Sequence, residues 1–272
     1  LADALFTPAY PVNAVPVPTL WNLVVNIATS TAAGTGVPPT PESVLTVNND
    51  LTLGAAFTIV ADSRLIVYGD VSYTNGSGTI VGAAPITSVL ELRGTGVVGE
   101  FDNDLFGATK PSLVIGRGET LTGPLTLDAN NVLTLDCGIN YFNLSLFTLD
   151  LTNASVVVQS GSILSGDNST VNYGTIATVP ANLFKDNKVG NFTIGADITL
   201  EGDLEVTTAL RGAHNITTGN NICTLGPTAT ATFTNVAHVS SNVRTAVTEV
   251  AKTFSVGGDG TANHYRPLTL QF

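Results

Sequence analysis

The sequence predicts an all-β protein, a right-handed parallel β-helix carrying an extended Pro-rich N-terminal segment and a C-terminal β segment; a β-sandwich array is the alternative. Three observations lead there. Apolar and polar residues alternate with period two in short runs, Gly, Asn or Asp separates the runs, and the runs resemble one another at intervals of five to ten residues. Period-two alternation marks strands with one buried face. Recurring similar triplets mark stacked repeats, because one unit cannot bury its apolar face alone. The strands are too short and too close for a sandwich, whose turns recur every ~8–12 residues. Parallel crossovers are overwhelmingly right-handed, which sets the expected hand.

Composition agrees. Charged residues are 11% of the 272-residue chain and hydrophobic residues 43%, while 39 Thr and 27 Gly fill much of the remainder. An average soluble domain carries about 25% charge. In a solenoid, outward residues stack on their copies about 4.8 Å away. Like charges in such a column repel, whereas Thr, Ser and Asn do not. Scarce Lys, Glu and Gln, absent Met and abundant β-branched residues argue against helices.

The elements follow in order. Residues 1–42 hold seven of the 13 prolines, Pro8, Pro11, Pro16, Pro18, Pro38, Pro39 and Pro41, around one candidate strand, Trp21–Ile27. Proline cannot donate to a ladder and favours extended chain. This segment reads as a cap over the core or as an arm that pairs with a neighbouring subunit by strand addition. Residues 43–235 read as the solenoid, with about eight to ten coils between Val44 and Asn235. The expected strands include Val44–Val47, Leu51–Leu53, Phe57–Val60, Arg64–Tyr68, Ser88–Leu92, Leu125–Leu127, Val132–Leu135 and Ser155–Val158. Further along come Phe192–Ile194, Ile198–Leu200, Leu204–Val206, Asn215–Thr217, Ile222–Leu225 and Ala231–Phe233. Gly, Asn and Asp at the corners tolerate left-handed backbone. Residues 236–272 read as a terminal β segment whose last strand begins near Pro267 and could pair with a partner.

The block from Asn191 to Phe272 carries a further signal. It contains Gly202-Asp203-Leu204-Glu205-Val206, then Phe233-Thr234-Asn235, His238-Val239 and Val243-Arg244. It continues with Phe254-Ser255-Val256-Gly257 and Tyr265-Arg266-Pro267-Leu268-Thr269-Leu270. This block resembles a β-solenoid repeat module of large cell-surface proteins and adhesins of gliding, type IX-secreting bacteria; Ser255 stands where Pro is common in that module. The resemblance covers the last 80 or so residues, extends to 44–190 only as loose solenoid texture and leaves out 1–42. It implies an extracellular structural or adhesive protein and no catalytic residues.

The net charge is −11 and the pI about 4.4. An acidic chain without a basic, aromatic-laced patch excludes nucleic acid as partner. No run reaches the ~18–20 apolar residues of a membrane span. The opening Leu1-Ala2-Asp3, without Met or signal-like regions, reads as a trimmed product. Cys137 and Cys223 sit in apolar alternation; two buried free thiols are expected, with one bridge as the alternative.

Chemistry is sparse. His214, His238 and His264 lack metal-ligand spacing, and Gly94-Thr95-Gly96 and Gly116-Arg117-Gly118 are corners rather than phosphate loops. Glu100, Asp102 and Asp104 form the densest acidic run. They read as a solvated turn or as oxygen ligands at alternating positions for Ca²⁺, the one cofactor expected. A polysaccharide-cleaving enzyme is a rival reading. It would need converging carboxylates, and Asp128, Asp136, Asp150 and Asp167 are scattered, with Asp128 and Asp150 able to stack if a coil has about 20 residues. Exposed Tyr68, Tyr73 and Tyr141 suggest a carbohydrate-binding module that contacts surface glycans, and a phage or virus fibre shares the composition. Six Asn-x-Ser/Thr triplets, at Asn75, Asn143, Asn153, Asn168, Asn191 and Asn215, occur as a Thr- and Asn-rich chain produces them by chance.

The reading favoured is an extracellular filament, fibre or sheath subunit, not an enzyme. It would assemble with copies of itself or with neighbouring modules through Trp21, Leu23 and Val25 at one end and Leu268, Leu270 and Phe272 at the other.

Overall fold

The computed structural model describes residues 19–26, 29–30, 43–74, 77–83, 87–174, 178–233, 239–240, 242–245, 252–257 and 266–270. Its strands are nearly all parallel. The fold is a β-solenoid of about nine turns. Helix is confined, among the described residues, to two single 3₁₀ turns, Asn103–Leu105 and Lys185–Asn187. The chain forms two compact units, Leu1–Glu100 with Asp104–Val114, and Phe101–Asn103 with Ile115–Phe272.

In the first unit each coil contributes strands to three sheets. Thr19–Leu20, Ser43–Val47, Ser63–Val67 and Val89–Leu92 stack in one sheet. Leu23–Val25, Leu51–Leu53 and Val71–Tyr73 form the second, and Thr29–Ser30, Phe57–Ile59 and Ile80–Gly82 the third. The registers explain why the triplets resemble one another. Leu45 stacks on Leu65 and that on Leu90; Val47 stacks on Val67 and that on Leu92. Leu51 and Leu53, with Val71, Phe57, Ile59 and Ile80, complete a core that is essentially solvent-free. Each inward residue therefore has its copy one coil away, which packs the interior without long strands.

The N-terminal segment behaves differently from an arm over the part described. Thr19–Ser30 supplies three short strands, one to each sheet, all parallel to the next coil. Of the expected Trp21–Ile27 strand, Leu23–Val25 forms and Trp21, Asn22 and Asn26 stand outside it, because the chain must turn before and after to follow the three-sided path; Ile27 lies outside the described residues. The solenoid thus begins before residue 43.

The second unit repeats the plan with longer strands. Leu125–Thr126, Thr148–Leu151, Thr170–Tyr173, Lys188–Ile194 and Leu204–Gly212 stack in parallel. One inward column runs Leu125, Leu149, Val171, Phe192, Leu210, Ala231, and another runs Leu151, Tyr173, Ile194. Tyr173 and Phe192 approach at 6.0 Å between ring centroids, and Phe184 meets Phe192 edge-on at 5.9 Å. Val132–Asn143 and Ser155–Leu164, twelve and ten residues, exceed the four-residue strands Val132–Leu135 and Ser155–Val158 that the sequence predicts. They run on past the corner, and their pairing shifts register at Asp136–Tyr141, where Gly138 has φ +64°. This irregularity continues the ladder through a bend instead of ending it. Gly161, opposite, has φ +83°, and a Cβ there would sit 2.2 Å from the Cys137 Sγ.

The last sheet stacks Thr178–Val179, Ile198–Leu200, Ile216–Thr217, Val239–Ser240 and Lys252–Gly257 in parallel. Arg266–Leu270 then returns antiparallel, with Leu268 opposite Phe254 and Leu270 opposite Lys252. The terminal strand begins at Arg266, one residue before the expected start, and one of its edges is taken by its own chain. Both thiols are buried and free, so the bridge does not form.

Candidate functional site

Coil corners are where this fold exposes polar groups, because the backbone there leaves the ladders and its N–H groups need acceptors. The structure satisfies many of them with side chains from the neighbouring coil. Along one corner of the first unit the Asp50 N–H donates to Asn22 Oδ1 at 3.1 Å, the Asp70 N–H to Asp50 Oδ1 at 3.0 Å, and the Val97 N–H to Asp70 Oδ1 at 2.9 Å. The partners are 20 to 28 residues apart in sequence. The second unit repeats the device. Asn215 N–H donates to Asp197 Oδ1, Ile222 N–H to Asp203 Oδ1, and Asn242 N–H to Thr218 Oγ1. Asp50, Asp70, Asp197 and Asp203 thus act as corner acceptors.

The expected acidic run is divided by its surroundings. Glu100 and Asp104 are exposed, Asp102 is half-buried, and Asn103 between them accepts the Thr126 N–H through Oδ1 at 2.9 Å. Among the described residues no group of three or more His, Cys, Asp or Glu side chains is placed to hold a metal ion. The Ca²⁺ expected at Glu100, Asp102 and Asp104 is therefore not matched by a ligand set there.

Asp128 and Asp150, able to stack if a coil has about 20 residues, are not set opposite one another. The register sets Asp150 opposite Thr126 on one side and Asn172 on the other. Asp150 Oδ1 accepts the Thr152 N–H, and Oδ2 accepts from Asn172 Nδ2 at 3.3 Å. Asp136 accepts from Ser160 Oγ at 2.9 Å beside the bend. Asp167 ties three coils together: its Oδ1 accepts from Thr207 Oγ1 at 2.6 Å, and its carbonyl accepts from Thr208 Oγ1 and Asn191 Nδ2. These acids are structural acceptors on separate corners and faces.

Two ionic groupings escaped the sequence reading. Glu91 lies on the outward side of its strand, since Leu90 and Leu92 point inward, yet it is only 6% exposed; Arg64 and Arg93 both pair with it. Arg117 and Glu119 are buried, 2% and 3% exposed, and pair at 2.5 Å. Glu119 stacks on Phe142, a core ring, so this carboxylate points into the solenoid interior. A buried pair holds only when both members are present, because either alone is an uncompensated charge.

The remaining expected positions are plain. Trp21 is 71% exposed, Leu23 half-buried and Val25 inward in the core. Tyr68 is 42% exposed; Tyr73 is half-buried; Tyr141 is half-buried with the Lys185 Nζ 5.3 Å from its ring centroid. Leu268 and Leu270 are placed as backbone partners of the preceding strand. Phe272, His238, His264 and the Asn75 triplet lie outside the described residues. His214 lies 3.5 Å from an Asp197 carboxylate oxygen. Burial pushes the Cys223 thiol up to about 12 and also raises that of Cys137, whose Sγ–H donates to the Asn140 carbonyl. Burial, helped by the charge of Glu201, raises the Tyr173 phenol, which donates to the Thr178 carbonyl at 2.6 Å.

No family model matches the chain, and no curated protein or solved structure matches it. No helix among the described residues is long and apolar enough to cross a membrane.

Proposed function

We propose that this chain is an extracellular structural or adhesive module that assembles with copies of itself by adding strand to strand. The observation that carries the reading is the outer edge of Leu23–Val25, with which no other described strand pairs. Leu23–Val25 pairs with Leu51–Leu53 on one side and is the terminal strand of its sheet among the described residues. The Leu23 N–H donates to the Asp50 carbonyl, and the Val25 carbonyl accepts from Gly54. Backbone groups alternate sides along a parallel strand, so the Val24 N–H and C=O face the opposite edge. Such an edge is a template for another strand. Exposed Trp21 and Val24, 71% and 58% accessible, lie alongside it. The low charge and the resemblance of residues 191–272 to modules of bacterial cell-surface proteins support an exported, many-copy setting.

The test uses Val24→Pro. Proline there removes only the outward N–H and leaves the donors to Leu51–Leu53 intact. Electron microscopy and sedimentation of the full chain should show assemblies for the parent and single particles for the variant at matched concentration. A parent that stays monomeric at every concentration, or a variant that assembles as the parent does, contradicts the reading.

A further inference from the structure

We propose that Trp21 and Tyr68 form a two-ring platform for a neutral, extended, β-linked hexose polymer. The inference goes beyond assembly and does not depend on it, since the platform lies on one face of a single chain. It begins with register. Leu20 pairs with Val47 and Val47 with Val67, so the corner residues that follow them, Trp21, Asn48 and Tyr68, occupy successive coils of one corner. Hydrogen bonds from Asn48 N–H to the Leu20 carbonyl and from Tyr68 N–H to the Val47 carbonyl, 2.8 and 2.9 Å, hold that alignment. Two coil steps of ~4.8 Å separate the aromatic positions by roughly 9.6 Å along the stack.

That interval has a chemical counterpart. In an extended β-(1→4)-linked hexose chain every second ring presents the same face, and the repeat is close to two coil steps. Each aromatic can then stack on the apolar face of alternate sugars, the contact that a large, flat, partly exposed ring makes best. Asn48, exposed between them, offers an amide to the intervening sugar's hydroxyls. The adjoining sheet face continues the surface with Val24, Thr52 and Ser72 in one outward column, the Ser72 hydroxyl donating to that of Thr52 at 3.3 Å. Such a face of short side chains leaves a flat polymer room to lie across it.

Charge selects a neutral ligand. The two acids of this corner, Asp50 and Asp70, already accept backbone N–H groups of the next coil. With a net charge of −11 the chain repels polyanions.

Affinity electrophoresis of the full chain tests the proposal, with hydroxyethylcellulose as the neutral β-linked probe and alginate as the polyanionic one. Hydroxyethylcellulose should retard the parent and alginate should not. Trp21→Ala and Tyr68→Ala should each weaken retardation about tenfold, and the double variant should abolish it. Tyr68→Phe, which keeps the ring, should retain it. Both rings are exposed, so thermal unfolding of the variants should match the parent; Val157→Ala, an exposed apolar residue of the other unit, should bind as the parent does. A parent that runs unretarded by hydroxyethylcellulose overturns the proposal. So does retardation that survives loss of both rings.

Discussion

Phe192 and Thr193 are chain neighbours on opposite faces of one strand, and their truncation should have opposite consequences. Phe192 is fully buried, stacks between Val171 and Leu210 of the adjacent coils, and touches the rings of Tyr173 and Phe184. Phe192→Ala removes the ring and leaves a cavity that the stacked coils on either side cannot close, a cost of about 3–5 kcal/mol. Thr193 lies between Asn172 and Arg211 on the outward side and is half-buried. Thr193→Ala should stay within about 0.5 kcal/mol. For a unit of this size the first change corresponds to a fall in Tm of roughly 6–20 °C and the second to no more than about 2 °C. Calorimetry or urea unfolding followed by circular dichroism reads both. Equal losses, or a larger loss for Thr193→Ala, would refute the reasoning, since a one-residue slip of register exchanges the two faces.

Other consequences are equally direct. Glu119→Ala should destabilise by about 3–5 kcal/mol because Arg117 is left as a buried charge, whereas Arg117→Met with Glu119→Leu should recover most of that loss; urea unfolding of the two variants compares them. Asp70→Ala deprives the Val97 N–H of its acceptor and should cost about 1 kcal/mol, while Asp70→Asn should cost less. Alkaline pH should destabilise the fold. The thiols of Cys137 and Cys223 and the phenol of Tyr173 all hold their protons more tightly when folded. Their stabilising effect is complete below the unfolded thiol value near 9.0 and is lost as pH rises from there toward the folded values, about 12 for Cys223. Unfolding midpoints measured from pH 7 to 11 should fall above pH 9, and less steeply in Cys223→Ala relative to its own value at pH 7. Gly161→Ala should lower the midpoint, because the left-handed backbone and the Cys137 sulfur leave no place for a Cβ.

Much of the fold was legible because a solenoid writes its register into composition. Leu51-Thr52-Leu53 and Ile198-Thr199-Leu200 appear in the structure with the bounds read from the sequence. Leu90, Leu65 and Leu45 share a column because each is the inward residue of a similar triplet. What stayed hidden depends on three-dimensional proximity across a coil. The corner acceptors Asn22, Asp50 and Asp70 are ordinary turn residues in sequence; only stacking shows that each caps the next coil. Nothing in the sequence around Glu119 marks it as buried; its strand carries it onto Phe142. The twelve-residue strand Val132–Asn143 was hidden by Gly138, which reads as a terminator but serves as a bend. In sequence Trp21 reads as an interface residue and Tyr68 as an exposed aromatic; the register sets both at one corner.

Nuclear Overhauser contacts in isotopically labelled protein test the parallel, coil-on-coil stacking most directly. The structure requires side-chain contacts along Val171, Phe192 and Leu210, and no close Hα–Hα pairs between their strands, since parallel neighbours do not bring those protons together. Close Hα–Hα pairs across those strands, as in the antiparallel sheets of a sandwich, would contradict it.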